Sequence, residues 1–111
     1  MWRSLASTSV AQRLRSAVRP TDTVARLGGD EFAVVCADLS DADGATMVAE
    51  RILAALDAPL PLGNEHHRVD VSVGVATVTD PTVAPDAVLH EADQAMYRAK
   101  KAGGRRLAIA D

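Results

Sequence analysis

Two short β-branched runs, Val24 to Leu27 and Phe32 to Cys36, stand on either side of Gly28-Gly29-Asp30-Glu31. Strand-forming runs separated only by turn residues pair antiparallel, because so short a connection leaves the second run no other place to lie. The chain is therefore expected to begin its β structure with a hairpin on a four-residue connection, and the remaining elements must pack around it. Ahead of it, Leu5, Val10, Leu14, Ala17 and Val18 share one helical face, Gln12, Arg13, Arg15 and Ser16 take the other, and Pro20 lies just past the end. Behind it, Ser40-Asp41-Ala42-Asp43 offers capping side chains to a second helix, in which Met47, Val48, Ile52, Leu53 and Leu56 repeat at helical spacing until Pro59. Pro59 to Glu65 is turn chemistry, and Arg68 to Ala76 reads as a third strand, its valines alternating with polar or small residues. Pro85-Asp86 starts a helix with Val88, Leu89, Ala92, Ala95, Met96 and Ala99 on one face, ended by Gly103-Gly104, and Leu107 to Ala110 closes as a short edge strand. The expected order is α, β, β, α, β, α, β.

Composition narrows what such a fold can do. The chain's 111 residues suit one domain, since compact domains most often run about 100 to 150 residues. A net charge of -3 argues against binding that rests on a broadly basic surface, and 3% aromatic residues leave few stacking platforms for single-stranded nucleic acid. No nucleic-acid polymer is expected as a partner. The single cysteine, Cys36, cannot form an internal disulfide and reads as a buried apolar thiol. No apolar stretch reaches eighteen residues uninterrupted by charge, so the expectation is a cytoplasmic chain without membrane contact. His66-His67 reads as a solvated turn, because neighbouring side chains diverge and no third ligand stands at a metal-binding spacing.

The hairpin tip carries the chemistry. Glycines allow positive φ and let backbone N–H groups approach a phosphate with no Cβ in the way, while adjacent carboxylates offer the hard oxygen ligands that Mg²⁺ prefers. Gly-Gly-Asp is also ordinary hairpin punctuation with solvated acids, so the tripeptide alone does not choose between these readings. The full pentamer Gly28-Gly29-Asp30-Glu31-Phe32 says more, since a given pentamer arises by chance in a chain of this length on the order of once in 10⁴ to 10⁵ sequences. It resembles the signature of the GGDEF domain, the catalytic module of diguanylate cyclases. Further matches stand in register: Ala49-Glu50-Arg51-Ile52 resembles the family's following helix, and Val71-Ser72-Val73-Gly74-Val75-Ala76 resembles its S-x-G-(I/V)-A strand. Ala92-Asp93-Gln94-Ala95-Met96-Tyr97-Arg98-Ala99-Lys100 is similar to its A-D-x-A-M-Y-x-A-K helix.

The resemblance implies a reaction in which two GTP-loaded domains face one another, each 3′-hydroxyl attacking the other's α-phosphate to give cyclic di-GMP and pyrophosphate. It implies Gly28 and Gly29 along the phosphates, Asp30 as metal ligand and candidate base, Glu31 as a second acid at the metal, and Lys100 on the triphosphate. In an extended chain, neighbouring side chains point to opposite faces, so Asp30 and Glu31 can share one metal only if the turn twists them together. Two departures stand out. The family's D-x-D-x-F-K-type strand, with its second metal carboxylate, has no counterpart before Ser4, and Ser4 itself stands where the guanine-contacting acid of a later G-D pair is expected. At the other end, the A-K-x-x-G-R-N pattern reads Ala99-Lys100-Lys101-Ala102-Gly103-Gly104-Arg105, with glycine at the arginine position and Arg105 a substitute one residue away. Lys101 and Arg106 read as cations favoured at a helix C-terminus by its dipole. Mg²⁺ binding is accordingly expected to be weak or absent.

A second constellation resembles the family's product-inhibition site. Arg19-Pro20-Thr21-Asp22 is an R-x-x-D separated from the Gly-Gly pair by Thr23 to Leu27, and Arg51 stands where the third member is found. A guanidinium fork suits a guanine edge or a phosphate, and a carboxylate can accept from guanine N–H groups. The implied fold is an α+β, ferredoxin-like or nucleotide-cyclase-like sandwich of an antiparallel sheet with helices, residues 1–111 forming one partial GGDEF domain whose first central strand is missing. That strand would lie between Phe32 to Cys36 and Val69 to Ala76, so the gap is expected to be closed by direct pairing of those strands, by a partner chain, or by a further segment. Three functions follow: a diguanylate cyclase domain, acting as a homodimer, with little or no activity from this piece alone; a noncatalytic cyclic di-GMP-binding regulatory module; or a dimerisation module.

Overall fold

The structure is a computed structural model that describes residues 2–37, 43–62, 64–67, 70–78, 82–103 and 107–110. Helix α1 (Trp2–Ala17) leads into the hairpin of β1 (Thr23–Gly28) and β2 (Glu31–Ala37), followed by α2 (Asp43–Asp57). A small ribbon of β3 (Leu60–Leu62) and β4 (Glu65–His67), then β5 (Ser72–Val78), α3 (Pro85–Lys101) and β6 (Leu107–Ile109), complete the order. The Ser40 to Ala42 part of the capping run, Arg68, Val69, Gly104, Arg105 and Arg106 lie outside the described residues.

The main sheet runs β1-β2-β5-β6. Within this sheet β1 and β2 pair antiparallel, whereas β2 pairs with β5, and β5 with β6, in parallel. The α+β architecture is as the resemblance implies, but the main sheet is mixed, its antiparallel pairing among the described residues lying in the hairpin. The reason is connectivity: α2 separates β2 from β5 and α3 separates β5 from β6, and a helical crossover returns a strand parallel to its predecessor. Direct pairing of β2 with β5, from Glu31↔Ser72 to Ala37↔Val78, is therefore how the two strands expected to flank a gap meet in this fold.

The two faces of the sheet are covered by helices of different texture. Against one face, Val10 and Leu14 of α1 and Val48 and Ile52 of α2 bury with Phe32, Val34, Cys36, Val73 and Val75. Against the other, α3 lays Val88 and Ala92 on Ala33 and Ala76. The small residues let α3 come very close: a Cβ on Gly74 would overlap the Ala92 carbonyl oxygen and the Met96 backbone nitrogen. Being covered on both sides, β5 is buried from Ser72 to Ala76, as central parallel strands are.

Three local expectations change. The β5 strand begins at Ser72, with Asp70 and Val71 ahead of it outside the strand, and the stretch read as turn chemistry holds the β3–β4 ribbon, with Leu60↔His67 and Leu62↔Glu65 paired. Pro61 is tolerated because a two-stranded ribbon has only edges. In α2 the buried stripe is Val48, Ala49, Ile52 and, partly, Leu56, whereas Met47 and Leu53 are exposed; each lies about 100° around the helix from the stripe residue beside it. At the end of that helix the Arg13 guanidinium donates to the carbonyls of Ala55 (3.1 Å), Ala58 and Pro59 (3.1 Å), satisfying groups a helix C-terminus leaves open and tying α1 to α2.

Candidate functional site at the two ends of the hairpin

The hairpin connection is tighter than its sequence implies. Gly28 pairs with Glu31, leaving Gly29 and Asp30 at the tip, and the register shifts between Arg26 and Gly28, so Leu27 takes up a bulge. Among the described residues the only glycine with positive φ is Gly103, so neither Gly28 nor Gly29 is required for left-handed backbone. Gly28 is needed for space instead: a Cβ there would overlap the Glu31 carboxylate, which folds back over it. At Gly29 a Cβ would meet nothing within 4 Å, so the space beside its Cα is uncrowded. The tip is held from two sides, by the Ser72 N–H donating to the Asp30 carbonyl at 2.8 Å and by Arg26 Nε donating to the Gly28 carbonyl at 3.0 Å.

The turn also brings the two acids together. The Lys100 ammonium, at the end of α3, lies 2.9 Å from Glu31 Oε2 and 3.6 Å from Asp30 Oδ1. The hydrogen bond to Glu31 raises the Lys100 pKa above its ordinary value, with the Asp30 and Glu31 charges acting in the same direction. Asp30 sits in the turn and Glu31 starts the strand, so they escape the alternation that would aim them apart. The ammonium is a stand-in ion: two carboxylates converging on one cation form a donor set suited to a hard metal such as Mg²⁺. The Lys100 and Glu31 positions are joined by tertiary structure alone, and Ser72, which the sequence offered only as part of a strand signature, supplies the tip's anchor.

At the far end of the hairpin, five β1 intervals or about 17 Å away along the strand, Arg19 and Asp22 meet. The Arg19 N–H donates to Asp22 Oδ2 at 2.9 Å, and its guanidinium reaches the same carboxylate at 3.4 and 3.2 Å. The Asp22 side chain is fully buried while that of Arg19 is 34% exposed, so the carboxylate anchors the arginine and the guanidinium faces outward. Arg51 lies on the exposed side of α2. Burial pushes the Cys36 thiol up to about 11, Asp22 adds to the rise, and Arg19 and Arg51 oppose it.

The other basic residues of the last turn of α3 have their own partners: the Arg98 guanidinium donates to the Ile109 carbonyl at 3.3 Å, and the Lys101 ammonium lies 5.3 Å from the centre of the Tyr97 ring. His66 is exposed on β4, in the ribbon rather than a turn, and among the described residues no group of three or more His, Cys, Asp or Glu is gathered as a metal site. No helix among them is long and apolar enough to cross a membrane.

With this geometry in view, similarity to known proteins is consistent at every level. Residues 8–106 match the family described as diguanylate cyclase, GGDEF domain. The chain is 42% identical over 103 residues to the diguanylate cyclase TpbB of Pseudomonas aeruginosa, a match covering 90% of this chain and 24% of that protein. It is 37% identical over 94 residues to the bifunctional diguanylate cyclase/cyclic di-GMP phosphodiesterase MucR of the same species, covering 85% of this chain and 14% of that one. The crystal structure of the TpbB GGDEF domain superposes with a TM-score of 0.78 at 36% identity, over 97% of this chain and 68% of that chain. An EAL/GGDEF domain protein from M. capsulatus superposes with a TM-score of 0.69 at 33% identity, over 97% and 70%. The chain belongs to the GGDEF family. It spans about a quarter or less of the length of these two curated relatives.

Proposed function

We propose that the hairpin tip is a GTP and Mg²⁺ site of the diguanylate cyclase type, and that these 111 residues alone turn GTP over slowly or not at all. The observation that carries the reading is the convergence of the Asp30 and Glu31 carboxylates on one cation beside Gly29, where an added Cβ would meet nothing. In this reading Gly28 and Gly29 line the phosphates, Asp30 and Glu31 hold the metal, Lys100 and Arg105 neutralise the triphosphate, and Asp30 is the candidate base. When bound, Mg²⁺ supplies charge neutralisation at the phosphates, which phosphoryl transfer needs more than covalent help. The 3′-hydroxyl of one GTP forms a bond to the α-phosphorus of the other, its proton passes to the base, and the bond to pyrophosphate breaks; two such steps give cyclic di-GMP and two pyrophosphates. Because each domain presents one GTP, the reaction calls for two copies face to face, and a supply of GTP places it in the cytoplasm. Low turnover follows from the donor set, since two neighbouring carboxylates on one side leave Mg²⁺ short of the well-placed ligands it demands.

A second reading is favoured by the opposite end of the hairpin. With Asp22 buried and spent on holding Arg19, the exposed guanidinium groups of Arg19 and Arg51 are suited to grip cyclic di-GMP, Asp22 acting through Arg19. Incubation with GTP and Mg²⁺ followed by assay of pyrophosphate tests the first reading's reaction, with release slow or undetectable as the expected outcome and rapid turnover contradicting it. Calorimetric titration with cyclic di-GMP tests the second: saturable heat that disappears in Arg19→Ala and Arg51→Ala is expected, and heat unchanged in both variants would exclude the site.

A further inference from the structure

The ion pair at the tip joins residues 69 apart in sequence, and both partners are mounted on the same strand. On one side, the Ser72 N–H at the start of β5 fixes the Asp30 carbonyl. On the other, α3 rests on β5 at Gly74, where its backbone comes too close for any Cβ, and Lys100 stands in the last turn of that helix. The meeting of Lys100 with the acids is thus set by a rigid frame. The side chains themselves remain accessible, at 44% for Lys100, 52% for Asp30 and 24% for Glu31. Of the three cations in that turn, Arg98 is directed to Ile109 and Lys101 lies over Tyr97; Lys100 is the one aimed at the carboxylates.

We infer that Lys100 is a resident counter-ion of the hairpin tip, occupying the place between the Asp30 and Glu31 carboxylates that a divalent cation must take, so that metal entry requires its withdrawal. The inference rests on the proposed metal site and adds a competitor to it. Two cations cannot share the same pair of oxygens at these distances without strong repulsion, and the lysine stem is long and flexible enough to swing clear. An ammonium already seated against two carboxylates lowers the apparent affinity of the metal by the fraction of time it holds them, as any occupied state taxes binding to its alternative.

The test is calorimetric titration of the folded chain with Mg²⁺ alone, and with Mn²⁺ alone, on the wild type and on Lys100→Met, Lys100→Arg, Lys101→Met and Glu31→Gln. Circular dichroism checks that each variant is folded. The expected result is that Lys100→Met binds the divalent ion about three- to fivefold more tightly than the wild type, in line with the modest strength of exposed ion pairs. Lys100→Arg should stay near the wild-type affinity, Lys101→Met should change it less than twofold, and Glu31→Gln should weaken binding. If Lys100→Met binds no more tightly than the wild type, or if Lys101→Met gains as much, the counter-ion role is overturned while the metal site stands. If neither the wild type nor Lys100→Met binds either ion, the metal site itself is overturned, and the counter-ion role with it.

Discussion

The two ends of the β1–β2 hairpin each carry an ion pair, and the pairs are of opposite kinds. At the open end Asp22 is fully buried and accepts from both the backbone and the guanidinium of Arg19 three residues earlier, a local bond made as the chain turns from α1 into β1. At the tip, Asp30, Glu31 and Lys100 are all partly exposed and are brought together only when α3 docks on β5. A buried, fully satisfied carboxylate is part of the fold, and removing it leaves donors without a partner; an exposed pair contributes little to stability and can be exchanged for another ligand. The difference assigns architecture to Asp22 and leaves the tip suited to the exchangeable binding proposed for it.

The largest expected effect attacks the frame behind the tip. Gly74→Ala forces a methyl group into the α3 backbone and should cost about 3 kcal/mol, read as a lowered midpoint in urea unfolding. Gly28→Ala is the contrasting substitution. The atom it meets is the far end of the Glu31 side chain, which can swing away, so the cost should stay below about 1 kcal/mol while divalent-ion binding weakens. Equal destabilisation by the two substitutions would mean that the tip is as rigid as the core.

Next in size is the comparison of the two aspartates. Asp22→Ala should destabilise by about 2 kcal/mol, whereas Asp30→Ala should change stability by less than about 0.5 kcal/mol in the same urea titration. A reversal of that order would break the assignment of architecture to one end and binding to the other.

The remaining effects arise only at alkaline pH. With the Cys36 thiol pushed up to about 11 from 9.0, the unfolded chain gives up this proton first as pH rises past 9.0, so stability falls between 9.0 and about 11. Cys36→Ala should flatten that fall. Lys100, raised above 10.5, behaves differently: its contribution is fully present below 10.5 and is lost as pH rises through its folded value, so Lys100→Met should alter the profile only above 10.5. Urea midpoints measured at steps from pH 8 upward check both.

How much of this could be read from the sequence depends on the range of each contact. The hairpin, the three helices and the Gly103 stop are written locally, in β-branched runs, apolar spacing and a glycine at the helix end, and all are observed. The β3–β4 ribbon was hidden because its short strands stand among turn-forming residues such as Pro59, Pro61 and Asn64, which mask the pairing of Leu60 with His67 and Leu62 with Glu65. The parallel pairing of β2 with β5 was hidden because nothing in either strand names its partner. At the sites, the resemblance pointed to Asp30, Glu31 and Lys100, but their convergence depends on α3 sitting close against Gly74. Asp22 was legible only as the acid of an R-x-x-D; its burial follows from the turn that places it under Arg19.

The central claim is that the tip takes a nucleoside triphosphate with its metal through Asp30 and Glu31. Calorimetric titration of the wild type and of an Asp30→Ala, Glu31→Ala double variant with GTP in excess Mg²⁺ tests it most directly. Saturable binding by the wild type is expected, falling at least about tenfold in the double variant, a loss of about 1.4 kcal/mol. Equal binding by the two proteins, or no binding by the wild type, would contradict it.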